Sequence, residues 1–223
     1  MASQLALPLS IPQTFARDSF IVAACNAQAF AFIESWPCSP VSVAAIYGPA
    51  GCGKTHLASI WQADSGAHLI AAAELDRAID AKGPWIVEDV DAAPPGLARD
   101  SVIFRLMEAA TPARPLLLTG KEPPSLWATA MPDLASRFAA IVSFPLWTPS
   151  DELLAGLTRK LLDDRQIPAS DAVIAQIIRG WERSPAAIRN FVAKADAKAL
   201  AESRSLTLAL VRELLAAEGE GLS

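Results

Sequence analysis

Gly48-Pro49-Ala50-Gly51-Cys52-Gly53-Lys54-Thr55 is a stretch whose residue types and spacing suit the grip of a phosphate chain. It fills the pattern G-x-x-x-x-G-K-[S/T]. Gly48, Gly51 and Gly53 let backbone N–H groups turn inward around phosphate oxygens, with Pro49 and Cys52 in the loop between them. Lys54 would reach the β- and γ-phosphates, and the Thr55 hydroxyl would hold Mg²⁺. A helix starting at Lys54 adds the positive end of its dipole to the same anion. A glycine-rich turn can match this pattern by chance, so the motif carries weight only between a strand and a helix.

Oxygen donors recur downstream in "PWIVEDVD", where an apolar run ends in Glu88, Asp89 and Asp91. At a strand tip, Glu88 would bind Mg²⁺ through water and Asp89 would orient or polarise the attacking water. Asp91 could share the metal role. Alone, such a run reads as solvated carboxylates at a strand end; the phosphate loop upstream turns the reading toward phosphoryl chemistry. Three arginines are candidate phosphate partners: Arg114 beside Pro115, Arg137 in "PDLASRF" and Arg189 in "SPAAIRNF". Spacing alone lifts none of them above an ordinary surface charge.

These groups need elements to position them. Val41 to Tyr47 reads as a buried strand, short, apolar and bounded by Pro40 and Gly48. Residues 54–62 have helical spacing, with Leu57, Ile60 and Trp61 on one side. The phosphate loop therefore has its required context. Further strands are predicted at 67–72, within 84–91, at 115–120 and at 140–146. An amphipathic helix is predicted over 98–110, with Val102, Leu106 and Ala109 on one face and Arg99 and Arg105 elsewhere. Apolar strands alternating with helices imply an α/β part, roughly 14–147, built on a parallel sheet covered on both faces. After Leu146 the texture changes. Thr148 is predicted as an N-cap with Pro149 at the first helical position, and Ser170, Ser184-Pro185 and Thr207 mark further helix starts. No strand candidate follows position 147, so a small all-α part is predicted over roughly 148–217.

The totals exclude several classes. Hydrophobic residues are 52% of the 223 and charged residues 19%, which argues for a packed core and against disorder. A net charge of −5 makes the chain a poor general binder of nucleic acid. No stretch approaches the roughly 20 uninterrupted apolar residues of a membrane span. The opening residues lack the basic start and the cleavage site of a secretory signal. Cys25, Cys38 and Cys52 show neither a disulfide framework nor metal-ligand spacing, and His56 and His68 add no metal set. A reduced, cytoplasmic protein is expected.

The order "GPAGCGKTHL", "IVEDVD", "LLLTGKEPP", "LASRF" and "AAIRNF" resembles the AAA+ module of the bacterial replication initiator DnaA. It resembles still more closely the short DnaA relatives of the Hda family, regulatory inactivators of DnaA. The similarity covers nearly the whole chain, and "LASRF" after "TG-x-x-PP" is its most specific part. The resemblance implies a P-loop AAA+ core with a five-stranded parallel sheet over 14–147, a helical lid over 148–223, and ADP or ATP with Mg²⁺ as ligands. It places Phe20, Val22 and Asn26 of "FIVAACNAQAF" on the adenine side, while a reading of the three as core and capping residues stays equally open. Arg189 matches the lid arginine that senses phosphate in cis. Arg137 matches an arginine finger, which acts on nucleotide held by a neighbouring subunit.

The resemblance also gives the opening residues a task. "QLALPL", Gln4 to Leu9, is similar to the hexapeptide with which Hda proteins dock on the DNA polymerase sliding clamp, so 1–13 reads as a clamp-binding peptide. Leu5, Leu7 and Leu9 offer aliphatic anchors, Gln4 a hydrogen-bonding end, and Pro8 an extended backbone. A loose terminal tail is the plain alternative. The implied function is a clamp-bound regulator that stimulates hydrolysis of ATP held by DnaA, with weak turnover of its own and a homodimer left open. Two departures bear on that turnover. Glu88 stands where initiators carry Asp, and Lys121 where the family has an acidic sensor, leaving Thr119 as a polar substitute. The chain stops at Ser223, just past the lid, so sequence-specific DNA binding is not expected. An autonomous ATPase of helicase-loader type and a nucleotide-stabilised adaptor are the alternatives.

Overall fold

The run Val43–Tyr47 (β1) is apolar at successive positions because both of its faces are covered. In the computed structural model, which describes residues 15–36, 39–75, 83–202 and 204–219, β1 lies inside a five-stranded parallel sheet. The other strands are His68–Ala71 (β2), Trp85–Glu88 (β3), Leu116–Gly120 (β4) and Val142–Pro145 (β5), in the order β2-β3-β4-β1-β5. Each lies within an apolar run expected from the sequence, trimmed at its ends. Side chains alternate across a strand, so neighbouring residues feed opposite cores. Ala45, Val87, Leu116 and Leu118 enter one core. Ala44, Ile46, Ile86 and Leu117 enter the other.

Helices cover both faces. Ala27–Ser35 (α1) and Lys54–Ser65 (α2) bury Ile33, Leu57, Ile60 and Trp61 on one face, where Trp61 stacks on Trp36 with ring centroids 4.7 Å apart. Leu97–Ala109 (α3) and Pro132–Ala140 (α4) bury Val102, Ile103, Leu106, Leu134 and Phe138 on the other. Helix α1 has no counterpart among the sequence expectations. Its apolar residues are nearly continuous, from Ala29 to Ile33, and leave no 3.6-residue period to read.

The N-terminus of α3 corrects one expectation. Arg99, expected off the apolar face of the helix, is buried together with Asp100. Arg99 donates to the carbonyls of Val90, Ala93 and Ala128 and, from Nε, to Asp100 at 2.8 Å. Asp100 also accepts from the Thr129 hydroxyl and the Ala130 N–H, each at 2.7 Å. The pair thus ties the segment after β3 to the segment leading into α4. Its partners are backbone groups distant in sequence, so no local pattern announces it.

Residues Phe15–Thr148 make up one compact unit, and the described residues from Pro149 onward belong to another. The second is all helical: Asp151–Asp163 (α5), Asp171–Gly180 (α6), Pro185–Glu202 (α7) and Leu208–Gly219 (α8). Leu154, Leu157, Ile174, Ile177, Ile188, Phe191 and Val211 are among its buried residues. Ser184 and Thr207 cap α7 and α8, accepting from the N–H groups of Ala187 and Leu210, and Ser170 stands at the N-cap of α6. Thr148 is not the cap of α5. That place is taken by Ser150, whose hydroxyl accepts from the Leu153 N–H at 3.2 Å, with Asp151 and Glu152 in the first turn. The acidic pair at the first two helical positions complements the helix dipole there, which Thr148-Pro149 as a start would place two residues further in. Among the described residues no helix is long and apolar enough to cross a membrane.

Burial works against the Asp100 charge, but the bonds from Thr129, Ala130 and Arg99, with the Arg99 charge, outweigh it and hold its pKa below the ordinary carboxylate value. A depressed folded-state pKa contributes stability that is present above the unfolded value of about 4 and is lost as pH falls through the folded value. Asp100→Ala leaves Arg99 buried without its counter-charge and is expected to cost about 3–5 kcal/mol. The expected readout is a lowered urea midpoint at pH 7, with the gap to wild type narrowing below about pH 4.

Candidate functional site

The sheet reverses its winding at β1. The connection after β1 leads to β2 at one edge, and the connection after β4 passes β1 to reach β5 at the other. In open α/β sheets the crevice outside the carboxyl ends of the strands at such a switch point is where ligands bind. Gly48 to Thr55 occupies that crevice. Gly48 has φ +153° and Gly53, which caps α2, has φ +107°. A Cβ on Gly48 would lie 2.1 Å from the Leu146 carbonyl oxygen and 3.1 Å from Cys52 Sγ. The turn is pinned from both sides. Gly48 N–H donates to Gly120 O at 3.1 Å, and Leu146 N–H donates to Tyr47 O at 2.7 Å.

Lys54 is buried, and its Nζ donates to Gly48 O at 2.6 Å and Pro49 O at 3.0 Å. The ammonium is thereby held over the loop, which gives any bound anion a positive charge ready in place. Burial pushes the Cys52 thiol up, against the opposing charge of Lys54, as suits a residue packed into the loop. Cys25 and Cys52 are free thiols; Cys38 lies outside the described residues.

Thr55 and Glu88 come together. The Thr55 hydroxyl lies close enough to the Glu88 carboxylate at the tip of β3 to lower its pKa. Burial raises the Glu88 pKa, the Thr55 hydroxyl opposes this, the Asp89 charge adds to it and the Lys54 charge opposes it. A hydroxyl beside a carboxylate at the mouth of a phosphate loop is a hard-oxygen donor pair of the kind Mg²⁺ accepts alongside waters. Asp89 is exposed, with φ +54°, and its N–H donates to Thr119 Oγ1 at 3.1 Å. Thr119 is buried in β4 and joins the tips of β3 and β4. Asp91, the alternative candidate for the metal role, is engaged by backbone through one oxygen, while its Oδ1 is buried with no partner among the described residues. Its Oδ2 accepts from the N–H groups of Lys121 and Glu122, both at 2.7 Å, which makes it a clamp on the turn after β4. The Lys121 side chain is exposed beyond the strand.

The other candidates fall in separate places. Phe20 stacks on Phe30 at 5.3 Å, meets His56 edge-on at 5.1 Å, and lies 3.6 Å from where a Gly53 Cβ would be. Val22 is exposed nearby in the chain. The Asn26 amide is used inside its own turn, accepting from Ala23 N–H and donating to Ile21 O, each at 2.9 Å. Arg137 sits on α4, on the sheet face opposite α2, paired with Glu108 at 3.1 Å and lying over the Phe104 ring at 4.3 Å. Arg189 belongs to α7 in the helical unit. Burial pulls its pKa down, and its guanidinium has no partner among the described residues. Arg114 is exposed before β4. Gln4, Leu5, Leu7, Pro8 and Leu9 lie outside the described residues. Sequence reasoning missed Leu146, whose backbone walls the loop. The residue stood at the end of an apolar run read only as strand.

A parallel sheet in the order β2-β3-β4-β1-β5, with a phosphate loop after β1 and acids at the tip of β3, is the P-loop AAA+ α/β fold. The chain shares that fold with domain III of the Thermotoga maritima replication initiation protein DnaA, at TM-score 0.72 and 15% identity over 90% of this chain and 95% of that one. It is also similar to AMPPCP-bound DnaA from Aquifex aeolicus (0.72, 15%, 83% of this chain and 66% of that one). A third likeness is to the RuvB Holliday junction branch migration motor of Thermotoga maritima (0.66, 13%, 91% and 71%). The chain therefore spans slightly less than two thirds of the longer initiator chain. No protein-family model matches it, and no curated protein matches it in sequence.

A raised carboxyl pKa means that ionised Glu88 costs stability. Its contribution is full below the unfolded value of about 4.3 and is lost as pH rises through the folded value. Glu88→Gln is therefore expected to raise Tm at pH 7 and to bring no gain at about pH 4. Scanning calorimetry checks this; an equal shift at both pH values would show that charge is not the cause.

Proposed function

We propose that the chain is an adenine-nucleotide-binding AAA+ regulator of the Hda type, which docks on a sliding clamp and stimulates hydrolysis of ATP bound to the initiator DnaA. The carrying observation is the convergence of Gly48–Thr55 with Glu88 at the switch point of a sheet shared with DnaA domain III. ADP or ATP would lie with its phosphates on the loop amides and Lys54. Thr55 and Glu88 would hold Mg²⁺, which when bound offsets phosphate charge. Arg189, half-buried and without a partner among the described residues, is suited to meet an anion. Asp89, exposed at the strand tip, would orient water in any turnover by the chain itself.

On this reading Arg137 acts outward. It lies on a surface helix, oriented by Glu108 and Phe104, and would meet the phosphates of nucleotide held by DnaA. A finger of this kind is worth about 10³–10⁵ in rate. Gln4, Leu5, Leu7, Pro8 and Leu9 would supply the clamp dock, and the DnaA-bound ATP would be consumed where the clamp is loaded.

The test is hydrolysis of ATP on DnaA with clamp and this chain added. Stimulation is expected in the wild type, a fall of at least about 10²-fold with Arg137→Ala, and loss of clamp binding with Gln4→Ala/Leu5→Ala. Lys54→Ala is expected to weaken ADP binding about 10–100-fold, the worth of a hydrogen bond to a charged group. The likeness to the RuvB motor favours a second reading, an autonomous ATPase. That reading requires substantial turnover without DnaA or clamp, abolished by Asp89→Asn, and its absence would exclude the motor.

A further inference from the structure

Five of the six tryptophans are tied into the protein. Trp36, Trp61 and Trp127 are buried, and Trp85 and Trp181 are partly buried against His68 and Phe191. Three of them also spend their indole N–H: Trp36 on Val41 O, Trp127 on Glu122 O and Trp181 on Ala187 O. Trp147 differs. It is 61% exposed, and its indole has no ring, cation or hydrogen-bond partner among the described residues. Single exposed apolar residues are ordinary on a protein surface, so the position must carry the case.

That position is fixed by backbone. Trp147 N–H donates to Cys25 O at 2.9 Å, which joins the exit of β5 to the segment that contains Phe20 and Val22. The residue before it, Leu146, is 1% exposed and sets its carbonyl against Gly48 and its Cδ2 3.9 Å from where a Gly53 Cβ would lie. Phe20 approaches that same point to 3.6 Å, and Val22 is 48% exposed. An exposed indole without a partner among the described residues therefore stands on a backbone anchored one residue beyond the leucine that walls the phosphate loop. A ligand with phosphates on the loop and a flat aromatic end would cover it. Sequence reasoning set Phe20, Val22 and Asn26 there, but the Asn26 amide is already used within its turn.

We propose that Trp147 is the stacking platform for the base of a purine nucleoside di- or triphosphate whose phosphates lie on Gly48–Thr55. The proposal rests on the nucleotide reading of that loop and adds to it the residue that makes the site prefer a nucleotide over a bare phosphate chain. Stacking on an aromatic side chain tolerates any flat base. The platform therefore gives affinity for the ring, while any choice between bases falls to other groups.

Nucleotide-free full-length chain would be titrated by calorimetry with ADP and, separately, with inorganic pyrophosphate, in wild type, Trp147→Ala and Trp147→Phe. The expected result is a fall of about tenfold in the ratio of ADP to pyrophosphate affinity for Trp147→Ala, with most of it restored in Trp147→Phe. ADP is also expected to change the tryptophan fluorescence of wild type, and that change to vanish in Trp147→Phe. An unaltered ratio in a folded Trp147→Ala, or a fluorescence change that survives in Trp147→Phe, would overturn the proposal. A wild-type chain that binds pyrophosphate without preferring ADP would overturn it and leave the phosphate loop standing. Binding of neither ligand would overturn the nucleotide reading itself, and this proposal with it.

Discussion

A methyl group at position 48 would sit 2.1 Å from the carbonyl oxygen of Leu146, so the turn out of β1 can be made only by glycine. That close approach exists because β1 is flanked on one side by β4 and on the other by β5, whose ends lie level with its own. Gly120 accepts from the Gly48 N–H, and Leu146 donates to the Tyr47 carbonyl. The loop is thus held at both shoulders before any ligand arrives. Its amides, the Lys54 ammonium and the start of α2 inherit their positions from this packing. A loop fixed in advance loses less entropy on meeting an anion, which favours binding.

The carboxylates nearby divide their tasks by environment and not by type. Glu88 ends a buried strand, has the Thr55 hydroxyl close by, and is left in an environment that disfavours its charge. Asp89 turns outward on a left-handed backbone. Asp91 is given over to two backbone N–H groups. Asp100, deeper than any of them, is fully bonded and stabilised as an anion beside Arg99. Asp100 has both oxygens satisfied by the protein, while Asp91 is held through one oxygen and its Oδ1 is buried without a partner among the described residues. The acids left open to other chemistry are those at the sheet edge beside the phosphate loop.

The arginines divide in the same way. Arg99 is enclosed, with four acceptors. Arg137 is on the surface with a carboxylate and a ring to orient it. Arg189 is desolvated with no protein counter-charge among the described residues. Burying a cation without a partner is costly, and such a cost is offset when an anion supplies the missing charge. Fixed, oriented and unsatisfied guanidinium groups are thus distinguished by contacts alone.

Strands and phosphate loop were legible in the amino-acid order because both are local. An apolar run of five residues bounded by proline or glycine, such as Val43–Tyr47, is a strand by its own composition, and the loop declares itself through glycine spacing followed by Lys54-Thr55. Helix α1 was not legible, since residues apolar on every side give no period, and the start of α5 slipped from Thr148 to Ser150 because two hydroxyl residues flank one proline. What only the tertiary structure decided was which polar groups would be used up. Arg99 and Asp100 find partners about 30 residues away, one oxygen of Asp91 is taken by backbone of the turn after β4, and Leu146, an unremarked strand-end leucine, walls the phosphate loop. A side chain's residue type sets which bonds it can make, and only the folded chain brings up the groups that make them.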